Sequence, residues 1–138
     1  MLLVRHASAG SSSEWQGDDY DRPLDDKGVE QARKLVARLA PFRIERILSS
    51  PAKRCIDTVG PLARARDLEV EVVGELDQER MFTEGIALVR GRAHEDIVVC
   101  GHGGLEGALD DPPKWKKAAV LVLRGGPRGA ELDDRTLA

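Results

Sequence analysis

Apolar residues fall in short runs separated by stretches of helical period, and several runs end on residues suited to chemistry. Met1-Leu2-Leu3-Val4 leads into Arg5 and His6, which predicts a first strand over residues 1–6. A loop from Ala7 to Leu24, rich in Ser, Gly and Asp, follows; its length beside a strand end marks it as functional or mobile. Asp25 suits an N-cap, and Val29, Ala32, Leu35, Val36 and Leu39 then form one apolar helical face that stops before Pro41. Ile44–Ser49 reads as a second strand. Pro51 suits the first turn of a helix running to about Asp67, with Cys55, Val59, Leu62 and Ala63 inward. Glu69–Val73 alternates like a half-exposed strand, Glu84–Arg92 is a short helix, Ile97–Cys100 a buried strand and Val120–Leu123 a last strand. There are no internal repeats or low-complexity tracts. The alternation predicts an α/β domain of three layers, α/β/α, with a mostly parallel central sheet.

Ligands of open α/β sheets gather at the carboxyl ends of strands. Two of the chain's three histidines, His6 and His102, stand at such ends, the second in Cys100-Gly101-His102-Gly103-Gly104. His94 lies in a charged turn and reads as a surface residue. Between the two, Ser49-Ser50-Pro51-Ala52-Lys53-Arg54 carries a strand into a helix with an arginine in its first turns. Two histidines and two arginines converging at strand ends make a phosphoryl site. Arginine presents a planar, permanently charged fork to phosphate oxygens. A histidine held neutral can attack phosphorus, and a second one can donate to the developing charge.

Composition narrows the class. With 138 residues the expectation is one domain, 1–138, large enough for a true core. A net charge of −3 argues against bulk attraction to nucleic acid and makes a local Arg/His cluster more notable. Two cysteines, Cys55 and Cys100, without a C-x-x-C spacing fit a reducing cytosol. No apolar run approaches a membrane span and the start has no basic leader segment, so the expected address is cytoplasmic. There is no P-loop and no carboxylate cluster suited to magnesium. A metal set of His6, His102 and Cys100 is conceivable by residue type. Two guanidinium groups can themselves neutralise a phosphate, so neither metal nor cofactor is expected.

The ordered pieces Leu3-Val4-Arg5-His6-Ala7, Arg22-Pro23-Leu24 with Gly28 and Gln31-Ala32, Ser49-Ser50-Pro51 with Arg54 and Thr58, and Gly101-His102-Gly103 resemble the histidine phosphatase superfamily, also called phosphoglycerate mutase-like. The small size and Ala9 are similar to its SixA branch of protein phosphohistidine phosphatases. Trp15, Gly17-Asp18-Asp19 and Arg22-Pro23-Leu24 resemble more closely the histidine-phosphatase domains fused to Nudix hydrolases. The resemblance implies that His6 becomes a phosphohistidine while Arg5, Arg54 and His102 cradle the phosphoryl oxygens. Ser12, otherwise a plain loop residue, and Arg22 are candidates for further substrate contacts. It also implies an acid for the leaving group within Gly74–Arg80, with Glu79 favoured and Glu75 and Asp77 as alternatives. Trp15 reads as a rim or packing residue, and Asp18, Asp19 and Asp21 as solvated loop charges. The resemblance implies a longer helix where this chain has the short stretch Leu105–Pro113, a departure that falls at the far wall of the pocket.

Two function classes follow. One is a metal-independent phosphohydrolase acting on a small phosphorylated metabolite or nucleotide, or alternatively on a phosphohistidine protein. The other is a phosphate-binding module of the same fold without turnover. The intact set Arg5, His6, Arg54 and His102 favours the enzyme, because a binding module needs no nucleophile. A mutase is a weaker third reading.

Overall fold

The computed structural model describes residues 1–137. Six strands form one sheet: β1 (Leu2–Arg5), β2 (Arg46–Ser49), β3 (Val70–Val72), β4 (Ile97–Gly101), β5 (Val120–Gly126) and β6 (Gly129–Leu137), in the spatial order β3-β2-β4-β1-β5-β6. The first four run parallel, while β5 and β6 are antiparallel additions at the β1 side. Three α-helices connect them: α1 (Asp26–Arg38), α2 (Lys53–Arg66) and α3 (Ile86–Arg92). After β3 the chain returns across the sheet to insert β4 between β2 and β1. That reversal sets the carboxyl ends of β1 and β4 side by side, with Arg5 opposite Gly101.

Alternation along each central strand loads both faces. Leu2, Val4, Ile47, Val98 and Cys100 point into the layer of α1 and α2, against Leu35, Leu39, Val59 and Leu62. Leu3, Leu48, Val99 and Leu121 point the other way, against Leu76, Val89, Leu105 and Trp115. Burial on both faces explains why these strands read as continuous apolar runs. Among the described residues no helix is long and apolar enough to cross a membrane.

The three-layer α/β architecture agrees with the sequence reading, and several boundaries move. Asp25 caps α1 through its own carboxylate, which accepts from the Gly28 amide at 2.8 Å. The inward face of α1 holds Gly28, Ala32, Leu35 and Leu39, whereas Val29 is exposed. Gly28 takes the slot because a Cβ there would lie 1.9 Å from the Ser8 carbonyl oxygen. Pro51 stands just before α2, whose N-cap is Ala52. A π-helical turn, Met81–Gly85, precedes α3 where the sequence pattern continued the helix back to Glu84. The last predicted strand runs on to Gly126, and β6 follows it, unforeseen. Its central residues, Glu131 to Arg135, are mostly charged, so no apolar alternation announces an edge strand.

Candidate active site

His6 sits one residue beyond β1, and its amide donates to the Gly101 carbonyl at 3.0 Å, so the strand pairing itself sets its position. Its ring Nδ1 lies 2.8 Å from the Ala7 carbonyl oxygen. A carbonyl only accepts, so Nδ1 carries the proton and Nε2 keeps its lone pair. Burial, joined by the positive fields of His102, Arg54 and Arg5, pulls the His6 pKa from 6.5 down to about 4 despite the Ala7 bond. The imidazole is therefore neutral at neutral pH, as a nucleophile requires.

His102 follows β4 directly. The two rings stand 5.6 Å apart between centroids, edge to face at 63°. The Ser50 hydroxyl is 2.8 Å from His102 Nε2, and Cys55 Sγ is 3.7 Å from the same nitrogen. A Ser50 O–H donating to Nε2 leaves the proton on Nδ1, which is buried and unpartnered. Ser50 is itself fully buried at the end of β2. What positions Ser50 is its amide bond to the Cys100 carbonyl at 3.0 Å, which extends the β2–β4 ladder by one residue.

Arg54 lies in the first turn of α2 with its side chain only 1 % exposed. Its guanidinium donates to the Asp19 carbonyl oxygen at 2.8 Å and pairs with the Asp19 carboxylate at 3.1 Å. Arg5 donates to the Trp115 carbonyl at 2.8 Å. A side chain at position 103 would come within 3.1 Å of that guanidinium, so Gly103 leaves the room Arg5 occupies. Thr58 ties the parts together, accepting from the Ala7 amide at 2.8 Å and donating to the Arg54 carbonyl at 2.6 Å.

The structure thus brings Arg5, His6, Arg54 and His102 together. Among the described residues four buried side-chain nitrogens lack any partner, and three of them are Arg5 Nε, Arg54 Nε and His102 Nδ1. Buried polar groups are normally satisfied, so two orphan guanidinium donors beside a neutral imidazole, with a third on His102 Nδ1 when Ser50 donates to Nε2, can meet an anion. No group of three or more His, Cys, Asp or Glu side chains suited to a metal ion occurs among the described residues.

The outer residues fall differently. Arg22 stays next to the site loop, donating to the Ala9 carbonyl at 2.6 Å and pairing with Asp19 at 3.0 Å. Ser12 is exposed, with no hydrogen bond among the described residues. Trp15 borders a hollow of about 230 Å³ shared with Ala9, Gly10 and Arg22, and its indole N–H donates to the Asp18 carbonyl at 2.9 Å. Asp19 is no plain solvated charge: it joins Arg22 and Arg54, which hold its carboxyl below the ordinary range even against burial. Of the three candidate acids, Glu75 lies 3.6 Å from Arg80. Asp77 accepts from the Tyr20 hydroxyl, and that bond holds its carboxyl down. Burial and the Asp77 bond push the Tyr20 hydroxyl up to about 12, with a further contribution from the charge of Glu79. Glu79 is exposed, and its side chain makes no hydrogen bond or ion pair among the described residues. Sequence reasoning did not find the roles of Asp19, Ser50 or Trp115. Ser50 and Thr58 both stand in the motif piece around Arg54, which gave them a local signal but no role.

Comparison with known proteins agrees with this geometry. Residues 1–85 match the model of the histidine phosphatase superfamily, branch 1. Over 67 residues, 49% of this chain, the sequence is 43% identical to the 8-oxo-(d)GTP phosphatase of Mycolicibacterium smegmatis, of which the match spans only 21%. It is 30% identical over 142 positions to a Schizosaccharomyces pombe protein bearing the name probable phosphatase, covering 91% of this chain and 68% of that protein. In fold it is similar to the protein histidine phosphatase SixA complexed with tungstate, at TM-score 0.77 and 21% identity over 99% of this chain and 95% of that one. It is also similar to a mycobacterial glucosyl-3-phosphoglycerate phosphatase, at TM-score 0.76 and 16% identity over 100% and 99% of the two chains. The parallel strand ends, the paired histidines and these likenesses lead to one assignment: the chain belongs to the histidine phosphatase superfamily.

Proposed function

We propose that this chain is a metal-independent phosphohydrolase that works through a phosphohistidine on His6, with a small phosphorylated metabolite or nucleotide as substrate. The observation that carries the reading is the set of three unpartnered buried donors, on Arg5, Arg54 and His102, around an imidazole kept neutral by burial. His6 Nε2 attacks phosphorus, the N–P bond forms, and the bond from phosphorus to the leaving oxygen breaks. Glu79, the one carboxylate of its turn without a side-chain partner, gives that oxygen a proton. Water then attacks the phosphohistidine and returns a proton to Glu79, and phosphate leaves with His6 regenerated. Arg5, Arg54 and His102 meet the charge on the nonbridging oxygens, which is worth most where water is excluded. The hollow beside Trp15 and Arg22 supports a nucleotide, since a flat base can lie on an indole.

The test is rapid quenching with a ³²P-labelled substrate panel of phosphoesters, nucleoside diphosphates and phosphohistidine peptides, with EDTA present. The expected result is acid-labile, base-stable label on His6 and none in His6→Ala, which also loses turnover. Turnover by the alanine variant, or activity that needs an added divalent ion, rules the reading out. Faster release from phosphohistidine peptides than from any small ester transfers the substrate assignment to protein phosphohistidine.

A further inference from the structure

The fourth unpartnered buried nitrogen among the described residues lies elsewhere, on Arg38 Nη2 near the end of α1. Arg38 is one of the residues lining a cavity of about 440 Å³ whose charged lining is Lys34, Arg38, Lys114, Lys116 and Lys117. No acidic residue lines it. Five of the chain's 21 basic residues therefore face one concave space in a protein of net charge −3. Like charges gathered without counter-charge repel one another and weaken the compact state unless an anion sits among them. Asp25 feels the charge of Lys117, but its carboxylate is committed to Ser8, Gly10 and Gly28. Burial lowers the Arg38 pKa, so its charge is under-compensated as the structure stands.

We propose that this cavity is a second anion site, taking a soluble oligophosphate: a diphosphate or triphosphate chain, free or carried by a nucleotide. Five cations exceed what one orthophosphate can meet, whereas a chain of linked phosphates spreads its charge over several lysines. The space has the size of small-molecule pockets and the one arginine is recessed at its edge, which suits a compact ligand better than a flat acidic protein surface. Neutral polar groups, Gln31 and Thr136, complete the lining over a floor of Ala118 and Ala119. The same floor touches the nucleophile strand: the Ala118 amide donates to the Arg5 and His6 carbonyls at 3.1 and 3.2 Å, and Arg38 donates to the Ala118 carbonyl at 3.3 Å. The two sites are nonetheless built from different side chains, so this inference stands whether or not His6 turns over a substrate.

The experiment is amide chemical-shift mapping of the whole ¹⁵N-labelled chain, titrated with methylenediphosphonate and with the β,γ-methylene analogue of ATP, which resist hydrolysis. Shifts are expected at Lys34, Arg38, Ala118 and Thr136, separate from any around His6 and His102. The double variant K114E/K117E, altered at two exposed lysines, should bind about tenfold or more weakly at these amides while hydrolysing p-nitrophenyl phosphate at the wild-type rate. Orthophosphate should bind about tenfold more weakly than the diphosphonate. Tighter binding of the ATP analogue assigns a nucleotide, and equal binding assigns the phosphate chain alone. Shifts confined to the His6 site, equal affinity for orthophosphate, an unaffected double variant, or binding of polyglutamate with no response to diphosphonate would each overturn the proposal.

Discussion

Asp19 holds Arg54 by two contacts, its carbonyl oxygen accepting at 2.8 Å and its carboxylate lying 3.1 Å from the second guanidinium nitrogen. The loop that crosses the site therefore supplies a negative charge to the same arginine that the proposed phosphoryl group needs. Asp19 is 43 % exposed while the Arg54 side chain is buried, so solvent partly screens the pair and the loop can release it.

Asp19→Asn keeps the backbone acceptor and removes the competing charge. Vanadate should inhibit the variant about threefold to tenfold more tightly, through reduced repulsion at the Arg54 edge. Weaker inhibition would instead make Asp19 the group that orients Arg54 for its ligand.

The pKa of His6 falls from 6.5 in the unfolded chain to about 4 in the folded one. Below 6.5 the unfolded state takes up a proton that the folded state refuses, so His6 costs stability progressively as pH falls towards about 4 and costs none above 6.5. Its ring resonances should stay in the neutral form throughout that window, and His6→Asn should flatten the corresponding part of the stability profile. A midpoint at the ordinary histidine value would show that burial does not govern this ring.

Gly28→Ala places a Cβ 1.9 Å from the Ser8 carbonyl oxygen and 2.9 Å from its carbon, both backbone atoms that a rotamer change cannot move. The expected loss is about 1–3 kcal/mol in denaturant unfolding, together with weaker vanadate binding, because α1 and the Ser8–Gly10 segment are forced apart. An unchanged midpoint would mean that this loop yields freely.

Thr58→Val is close to isosteric and removes the acceptor for the buried Ala7 amide. The unpaired donor should cost about 1–3 kcal/mol, and turnover should fall as the peptide after His6 loses its anchor.

Glu79→Gln should slow hydrolysis of alkyl phosphates by about 10²-fold while leaving p-nitrophenyl phosphate and phosphohistidine nearly unaffected, since those leaving groups need less proton assistance. Asp77→Asn should show no such split, because Asp77 is engaged by Tyr20. A split that follows Asp77 or Glu75 instead moves the acid to that residue, and equal loss on all substrates assigns Glu79 a positioning role.

The strand ends, the two histidines and the arginine of α2 were legible in the sequence because local rules specify them. A parallel strand buried on both faces must be an apolar run, and the residue where that run stops lies at the sheet's ligand-binding edge. The first strand to His6, the fourth to His102 and the turn into Arg54 all follow from that, as does the cap at Asp25. The face of α1 did not, because Gly28 rather than Val29 takes the inward slot only when the Ser8 carbonyl is in place. Strand β6 was hidden because an exposed edge needs no apolar alternation. The pairing of Asp19 with Arg54, the seat of Ser50 under His102 and the Arg5 bond to Trp115 join residues 35, 52 and 110 positions apart. Such contacts depend on how the loops close over the sheet. Sequence periodicity determined which side chains reach the edge, and tertiary packing decided which of them are neutral, which are paired and which are left open to a ligand.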